Sequence, residues 1–168
     1  MESKGNIYFL YLTVFITGAS VLALEVLGTR IIGPFYGTTV FVWTSLILVT
    51  LGALALGYFA GGYLADKKPI HGILYLIIGV SGIMFLLPMK IDQWILPLTD
   101  GFGFQYGPLI AALGLFFIPL FLLGTVSPFV IRLVTKEVKK TGRSAGTVFA
   151  LGTAGSILGG FLAGFYLL

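Results

Sequence analysis

The chain has few of the residues from which soluble proteins build disulfides, metal centres and charged surfaces. It contains no cysteine, which excludes disulfide bonds and thiolate metal sites. It has one histidine, His71, with no second candidate ligand beside it in the sequence, so we expect no metal site. Charged residues make up 10% of the 168 residues, against roughly 25% in an ordinary soluble domain. The composition is therefore not that of a soluble domain.

Apolar residues are instead abundant, at 58% of the chain, and they stand in long runs. A helix needs about 20 apolar residues to cross a bilayer, and the runs reach this length. We predict an all-α, polytopic transmembrane bundle, a single integral membrane domain over residues 1–168. We expect the first span to end at Pro34, because proline does not continue a helix. We expect residues 90–107 to form a connection at the membrane interface. The predicted spans are about 7–33, 39–64, 70–88, 108–134 and 144–168.

Basic residues predict how these spans are oriented. Lys67 and Lys68 follow the second span and a basic loop follows the fourth, whereas Lys90 is alone in the opposite connections. By the positive-inside rule we expect a multi-pass protein of the cell membrane, with its N-terminus in the cytoplasm and its C-terminus outside. The net charge of +4 thus indicates topology and no nucleic-acid partner. Because the sequence stops among apolar residues, we expect a fragment or one half of a larger protein.

Glycine is the other compositional signal, with 24 residues, many of them four positions apart. In lipid, small residues at this spacing let two helix backbones approach closely. We predict a compact bundle surrounded by lipid, and a homo-oligomer that uses the fifth span as its contact. The glycines predicted to pack helices together are Gly57, Gly61, Gly155, Gly159 and Gly160.

Two charged residues interrupt the first span. A charge at the bilayer centre costs about 2.5–3.5 kcal/mol on the mildest scale. Arg30 lies near Pro34 and can extend to the interface, whereas the shorter side chain of Glu25 lies deeper. The two residues are five positions apart and point about 140° from each other on a regular helix, so they form a poor pair unless the helix breaks near Gly28. We predict that Glu25 faces the bundle interior, either as a ligand-binding carboxylate or as a structural hydrogen-bond acceptor.

Motifs of catalysis are not found. The sequence has no Walker, GxSxG or HExxH pattern, and its carboxylates are scattered. We expect no cofactor and no catalysis by this chain alone. Asp66, which closes the second span, has two interpretations: a solvated loop charge, or an acceptor for the N-terminus of a neighbouring helix that steadies a gate.

Several motifs together resemble one known family. The run "LALEVLGTRIIGPFYGTTVFVWTSLILVTLGALALGYFAGGYLAD" has a Glu and an Arg in the first span, Pro-x-x-Gly in the turn, Val-Trp at the start of the second span and Gly-Gly-x-Leu-Ala-Asp at its end. It resembles the membrane domain of the fused major facilitator/spermidine synthase-like proteins, and "VSPFVIRL" and "GRSAGTVFALGTAGSILGGFLAGFYLL" are similar too. The resemblance implies a bundle like half of a major facilitator fold. It also implies ligand-binding positions at Glu25 and Arg30 and gating or structural positions at Pro34, Trp43, Gly62, Asp66 and Pro128.

Three functions stay open at this point. The domain could bind or pass a small cationic amine, a polyamine, with Glu25 as the counter-charge. It could be a non-catalytic membrane anchor or scaffold for a soluble aminopropyltransferase-like domain or partner, as the family resemblance suggests. It could also be a packing module that is stable only with another copy or another half.

Overall fold

The computed structural model describes residues 4–135 and 141–166, which form an all-α bundle without strands. This confirms the predicted fold class. The predicted basic loop falls partly on residues 136–140, and the last two residues of the predicted fifth span are 167 and 168; both lie outside the described residues. The helices are α1 (Lys4–Tyr36), α2 (Val40–Lys67), α3 (His71–Leu86), α4 (Pro88–Thr99), α5 (Gly103–Val134) and α6 (Thr141–Phe165), with a short 3-10 turn at Asp100–Phe102.

The long helices have the length and composition of membrane spans. Four stretches are long and apolar enough to cross a bilayer, namely Asn6–Tyr36, Val40–Lys67, Pro88–Val134 and Thr141–Phe165. The third includes a chain reversal at Gly103, whose φ is 71°, so its crossing part is α5. The 33 residues of α1 extend about 50 Å, against a hydrocarbon core of about 30 Å. The ends of α1 therefore project beyond the hydrocarbon core. The long apolar helices are those of a multi-pass membrane protein.

The first helix does not end where the sequence predicted. Pro34 lies inside α1, which continues to Tyr36, so the prediction that the span stops at Pro34 is wrong. Pro34 removes one backbone hydrogen bond, but only two more helical residues follow it. The chain turns at Gly37 instead, where φ is 80°, and the Gly37 N–H donates to the Gly33 carbonyl at 2.7 Å. Glycine adopts this left-handed conformation without steric cost.

The segment after the third predicted span is a helix rather than an interfacial connection. Leu87, between α3 and α4, keeps helical torsion angles (φ −62°, ψ −45°), so the path continues through Pro88. Helix α4 then lies antiparallel to the first part of α5: a Cβ added at Gly114 would be 3.5 Å from Ile95. Leu96 of α4 is buried in the same cluster as residues of α5. The expected connection is corrected accordingly, and α3 with α4 forms one kinked path along α5.

Two parallel helix pairs contain the closest backbone contacts. Helix α2 runs parallel to α5, with Gly57 against the Phe121 carbonyl and Gly61 against Thr125. A Cβ at either glycine would lie within 3.0 Å of these backbone atoms. The predicted packing glycines of α2 thus lie in a contact within the chain, where close approach is possible only without a side chain.

Helix α6 runs parallel to α1 in the same way. Gly155 lies against the Phe15 carbonyl and Gly159 against Ala19, while a Cβ at Gly160 would be 2.5 Å from the Leu22 side chain. The sequence assigned these glycines to a contact with a second copy. That assignment is corrected, because α1 of the same chain already occupies this face of α6.

Buried apolar side chains form two clusters along the bundle axis. One includes Leu24, Leu46 and Phe116 and lies toward the end marked by Tyr36, which we call the Tyr36 end. The other includes Leu10, Leu74 and Phe129 and lies toward the end marked by Asp66, which we call the Asp66 end. On α1, the first cluster uses residues from position 24 onward and the second uses positions 10 and 14. The middle of the bundle, around position 18, belongs to neither cluster.

Candidate functional site

A cavity of about 110 Å³ occupies the middle of the bundle, between the two apolar clusters. Helices α1, α2, α5 and α6 all contribute to its wall, so it forms only when the whole bundle is assembled. Its lining is unusually rich in hydroxyl groups for the interior of a membrane domain. The hydroxyl-bearing residues that line it are Thr17, Tyr58, Ser127, Thr153 and Ser156.

Two of these hydroxyls are committed to backbone carbonyls. Thr17 Oγ1 donates to the Val14 carbonyl at 3.1 Å, within α1. Ser156 Oγ donates to the Gly18 carbonyl at 2.9 Å and so ties α6 to α1. These bonds leave the oxygen lone pairs able to accept a further hydrogen bond from a molecule in the cavity.

The other three hydroxyls, on Tyr58, Ser127 and Thr153, make no hydrogen bond with any residue that the structure describes. Thr50 is different: its hydroxyl oxygen also has no hydrogen-bond partner, but it is buried and faces no cavity. A polar cavity of this size holds water readily, because water supplies the missing partners. The three hydroxyls can therefore donate to or accept from a bound polar molecule.

Two contacts close the sides of the cavity. On one side the backbones of Gly18 and Gly152 meet, and a Cβ at Gly18 would collide with the Gly152 carbonyl. On the other, the rings of Tyr58 and Phe149 pack edge to face across α2 and α6, with centroids 6.4 Å apart and planes at 81°. Tyr58 and Phe149 are 40% and 50% exposed, so this side of the cavity lies at the outer surface of the bundle.

Glu25 lies next to this cavity rather than in its lining. Helix α1 is continuous through Gly28, so Glu25 is one turn beyond Val21 and two turns beyond Gly18, on the same helix face. Val21 and Gly18 both line the cavity. The Glu25 side chain is half-buried and forms no ion pair or hydrogen bond with the described residues. Among residues 4–135 and 141–166, the structure therefore shows no partner for this carboxylate.

Arg30 lies in a different place. The unbroken helix keeps it apart from Glu25, and the two form no ion pair with each other, as the five-residue spacing predicted. Together with Pro34 and Trp43, it lines an open pocket of about 510 Å³ at the Tyr36 end. Three of the positions that the family resemblance selected are thus brought together there, but not with Glu25.

Three more of those positions meet at the Asp66 end. Gly62, Asp66 and Pro128 line a cleft of about 310 Å³ together with Arg132. The Arg132 Nε atom donates to Asp66 Oδ1 at 3.2 Å, which links α2 to α5. The partner of Asp66 is thus an arginine side chain rather than the N-terminus of a neighbouring helix. The side chains are 49% and 76% exposed, so this bridge contributes little to stability.

Sequence reasoning found Glu25 but missed the cavity beside it. Single Ser, Thr and Tyr residues are common in apolar helices, and these come from four separate helices. One signal was available within α6: Gly152, Thr153 and Ser156 recur at helical spacing on one face. Among the described residues, no group of three or more His, Cys, Asp or Glu side chains could hold a metal ion.

Comparison with known proteins adds no relative, because no family model, no curated protein and no solved structure matches the chain.

Proposed function

We propose that this membrane domain binds a small cationic amine in the hydroxyl-lined cavity, with Glu25 as the counter-charge. The observation that carries the proposal is a half-buried carboxylate without a cationic partner among the described residues, on the helix face that lines a polar cavity. An intramembrane carboxylate is costly unless it is paired or functional. A bound cation supplies the missing pair.

The free hydroxyls suit the same ligand. An alkylammonium group has three donors and no acceptor, so it needs oxygen acceptors around it. Tyr58, Ser127 and Thr153 provide such oxygens, and Glu25 one turn away provides the charge. A molecule with two or more ammonium groups can satisfy both at once. This favours a polyamine, the ligand class that the resemblance to the spermidine synthase-like family also suggests.

The proposed orientation places the Asp66 end at the cytoplasm, since Lys67 and Lys68 follow α2 there. The cavity then lies near mid-membrane and Glu25 lies on its outer side.

The test is equilibrium binding of radiolabelled spermidine to the protein in nanodiscs, comparing wild type with Glu25→Gln. The amide keeps the shape of the side chain and removes its charge, so we expect binding to fall at least tenfold while the helical circular dichroism signal is unchanged. Asp92→Asn is the matched control, because Asp92 is a half-buried carboxylate on α4 that does not line the cavity. That variant should bind as wild type does.

Unchanged spermidine affinity in a folded Glu25→Gln variant would end the proposal. Absence of amine binding by wild type would also end it, and would leave the other two functions from the sequence analysis, a membrane anchor or scaffold for a soluble domain and a packing module.

A further inference from the structure

The pocket at the Tyr36 end is lined by a cationic side chain, Arg30, whereas the central cavity lies beside the carboxylate of Glu25. The lining residues of the pocket are Thr29, Arg30, Gly33, Pro34, Thr38 and Trp43, and none of them is acidic. We propose that this pocket is a binding site for a phosphate group, with Arg30 as its principal ligand. This inference is independent of the amine proposal, because the two sites share no residue.

Unused hydrogen-bond donors support an anionic ligand. Arg30 forms no ion pair or hydrogen bond with the described residues, and neither do the side chains of Thr38 and Trp43. The guanidinium and the indole N–H are donors only, and the Thr38 hydroxyl can donate as well. Thr29 differs, since its hydroxyl already donates to the Val26 carbonyl at 2.7 Å. Three exposed side chains with hydrogen-bond donors thus border one pocket, and a phosphate group has acceptors only.

The position of the pocket favours a lipid as the source of that phosphate. Arg30 lies six residues before the end of α1, or about 9 Å along the helix axis. Because α1 is about 50 Å long and the hydrocarbon core about 30 Å, roughly 10 Å of the helix projects at each end. Arg30 is then near the level where lipid phosphates lie. Trp43, which is 55% exposed, belongs to a residue type enriched at this level of membrane proteins.

Recognition of phosphate by arginine predicts a specific requirement. A guanidinium makes two parallel hydrogen bonds to phosphate, whereas a lysine ammonium acts as a point charge. General attraction of an anionic lipid to a basic residue would tolerate Arg30→Lys, but a built site would not. The lysine variant therefore separates a binding site from a basic side chain that merely extends to the headgroups.

The experiment is native mass spectrometry of the full chain in detergent, titrated with phosphatidylglycerol and, separately, with diacylglycerol of the same acyl chains. We expect phosphatidylglycerol to bind and the phosphate-free lipid not to bind. Arg30→Lys should weaken phosphatidylglycerol binding about tenfold, because it loses the paired charge-assisted hydrogen bonds. Trp43→Phe should weaken it by a smaller factor, through loss of one donor.

Lys90→Gln is the matched control, because Lys90 is a basic residue of α4 outside the pocket lining. It should bind phosphatidylglycerol as wild type does. Inorganic phosphate added to the same assay shows whether the ligand is free phosphate or the lipid. If millimolar phosphate displaces phosphatidylglycerol, free phosphate is sufficient for binding. If it does not, the lipid is the ligand. Equal binding by wild type and Arg30→Lys, or equal binding of the two lipids, would overturn the proposal.

Discussion

The contact between α2 and α5 depends on glycine at a position where a single methyl group is decisive. Gly57 faces α5 so closely that an added Cβ would lie 3.0 Å from Gly124 Cα and nearer still to the Phe121 carbonyl oxygen. Gly52, on the same helix, is exposed, and a Cβ added there would have nothing within 4 Å. Gly57→Ala and Gly52→Ala therefore make the same chemical change on one helix, in a contact and outside it.

The expected energies have opposite signs. Alanine is favoured over glycine inside a helix by about 0.8–1.0 kcal/mol, so Gly52→Ala should be neutral or stabilising by up to that amount. At Gly57 the same gain is opposed by overpacking, which costs about 1–3 kcal/mol. Carbon atoms pack best at about 3.5–4.0 Å, so the helices must separate, and a gap of about 0.5–1 Å already loses about a quarter to a half of each dispersion contact. We expect Gly57→Ala to be net destabilising by up to about 2 kcal/mol.

The assay is reversible unfolding in mixed micelles with increasing sodium dodecyl sulfate, followed by circular dichroism or tryptophan fluorescence. The prediction concerns the difference between the two variants, about 1–3 kcal/mol, in which effects of the micelle largely cancel. If Gly57→Ala proves as stable as Gly52→Ala or more so, the close approach of α2 and α5 is not as described.

Three further outcomes are expected. Tyr36→Phe should destabilise the protein by about 1–2 kcal/mol in the same assay. The reason is that the Tyr36 hydroxyl donates to Thr99 Oγ1 at 2.7 Å, while Thr99 donates to the Leu96 carbonyl. Tyr106→Phe is the control and should not change the stability, because Tyr106 is 63% exposed. Asp66→Asn should cost less than about 1 kcal/mol, since its bridge to Arg132 is exposed, and a larger loss would show that the bridge stabilises the Asp66 end more than exposure suggests. Single cysteines placed at Lys68 and Lys139 of this cysteine-free chain should be labelled only from the cytoplasm and one at Asp100 only from outside, whereas external labelling at Lys139 would reverse the orientation.

The placement of the four long helices could be predicted because apolar run length is a direct consequence of bilayer thickness. The third predicted span, 70–88, is the shorter apolar helix α3 and is not one of these four. The helix at residues 88–99 was not predicted by apolar run length. Pro88, Lys90, Asp92 and Pro97 interrupt the apolar pattern, and the helix there is explained by packing on α5, which sequence composition does not reveal. The end of α1 was misplaced for a related reason, since Gly37 rather than Pro34 turns the chain.

Of the candidate site, only the charged residue Glu25 could be predicted from the sequence. Glu25 is conspicuous because a carboxylate is rare in an apolar span. The hydroxyls of Tyr58, Ser127 and Thr153 belong to ordinary residues in three different helices, and only the packing of those helices brings them to one cavity. The five-residue spacing of Glu25 and Arg30 predicted that they form a poor pair, and the continuous helix α1 places them at separate sites.

The location of the amine is the most direct test of the central claim. A spermidine derivative bearing a diazirine can be photolysed with the protein in nanodiscs, and the labelled positions identified by peptide mass spectrometry. We predict that the label falls on the cavity walls, at residues 123–127 of α5 and 149–156 of α6, that excess spermidine prevents it, and that Glu25→Gln reduces it at least tenfold. Label confined to the helix ends, or cavity label that is unchanged in Glu25→Gln, would contradict the assignment of Glu25 and the cavity as an amine-binding site.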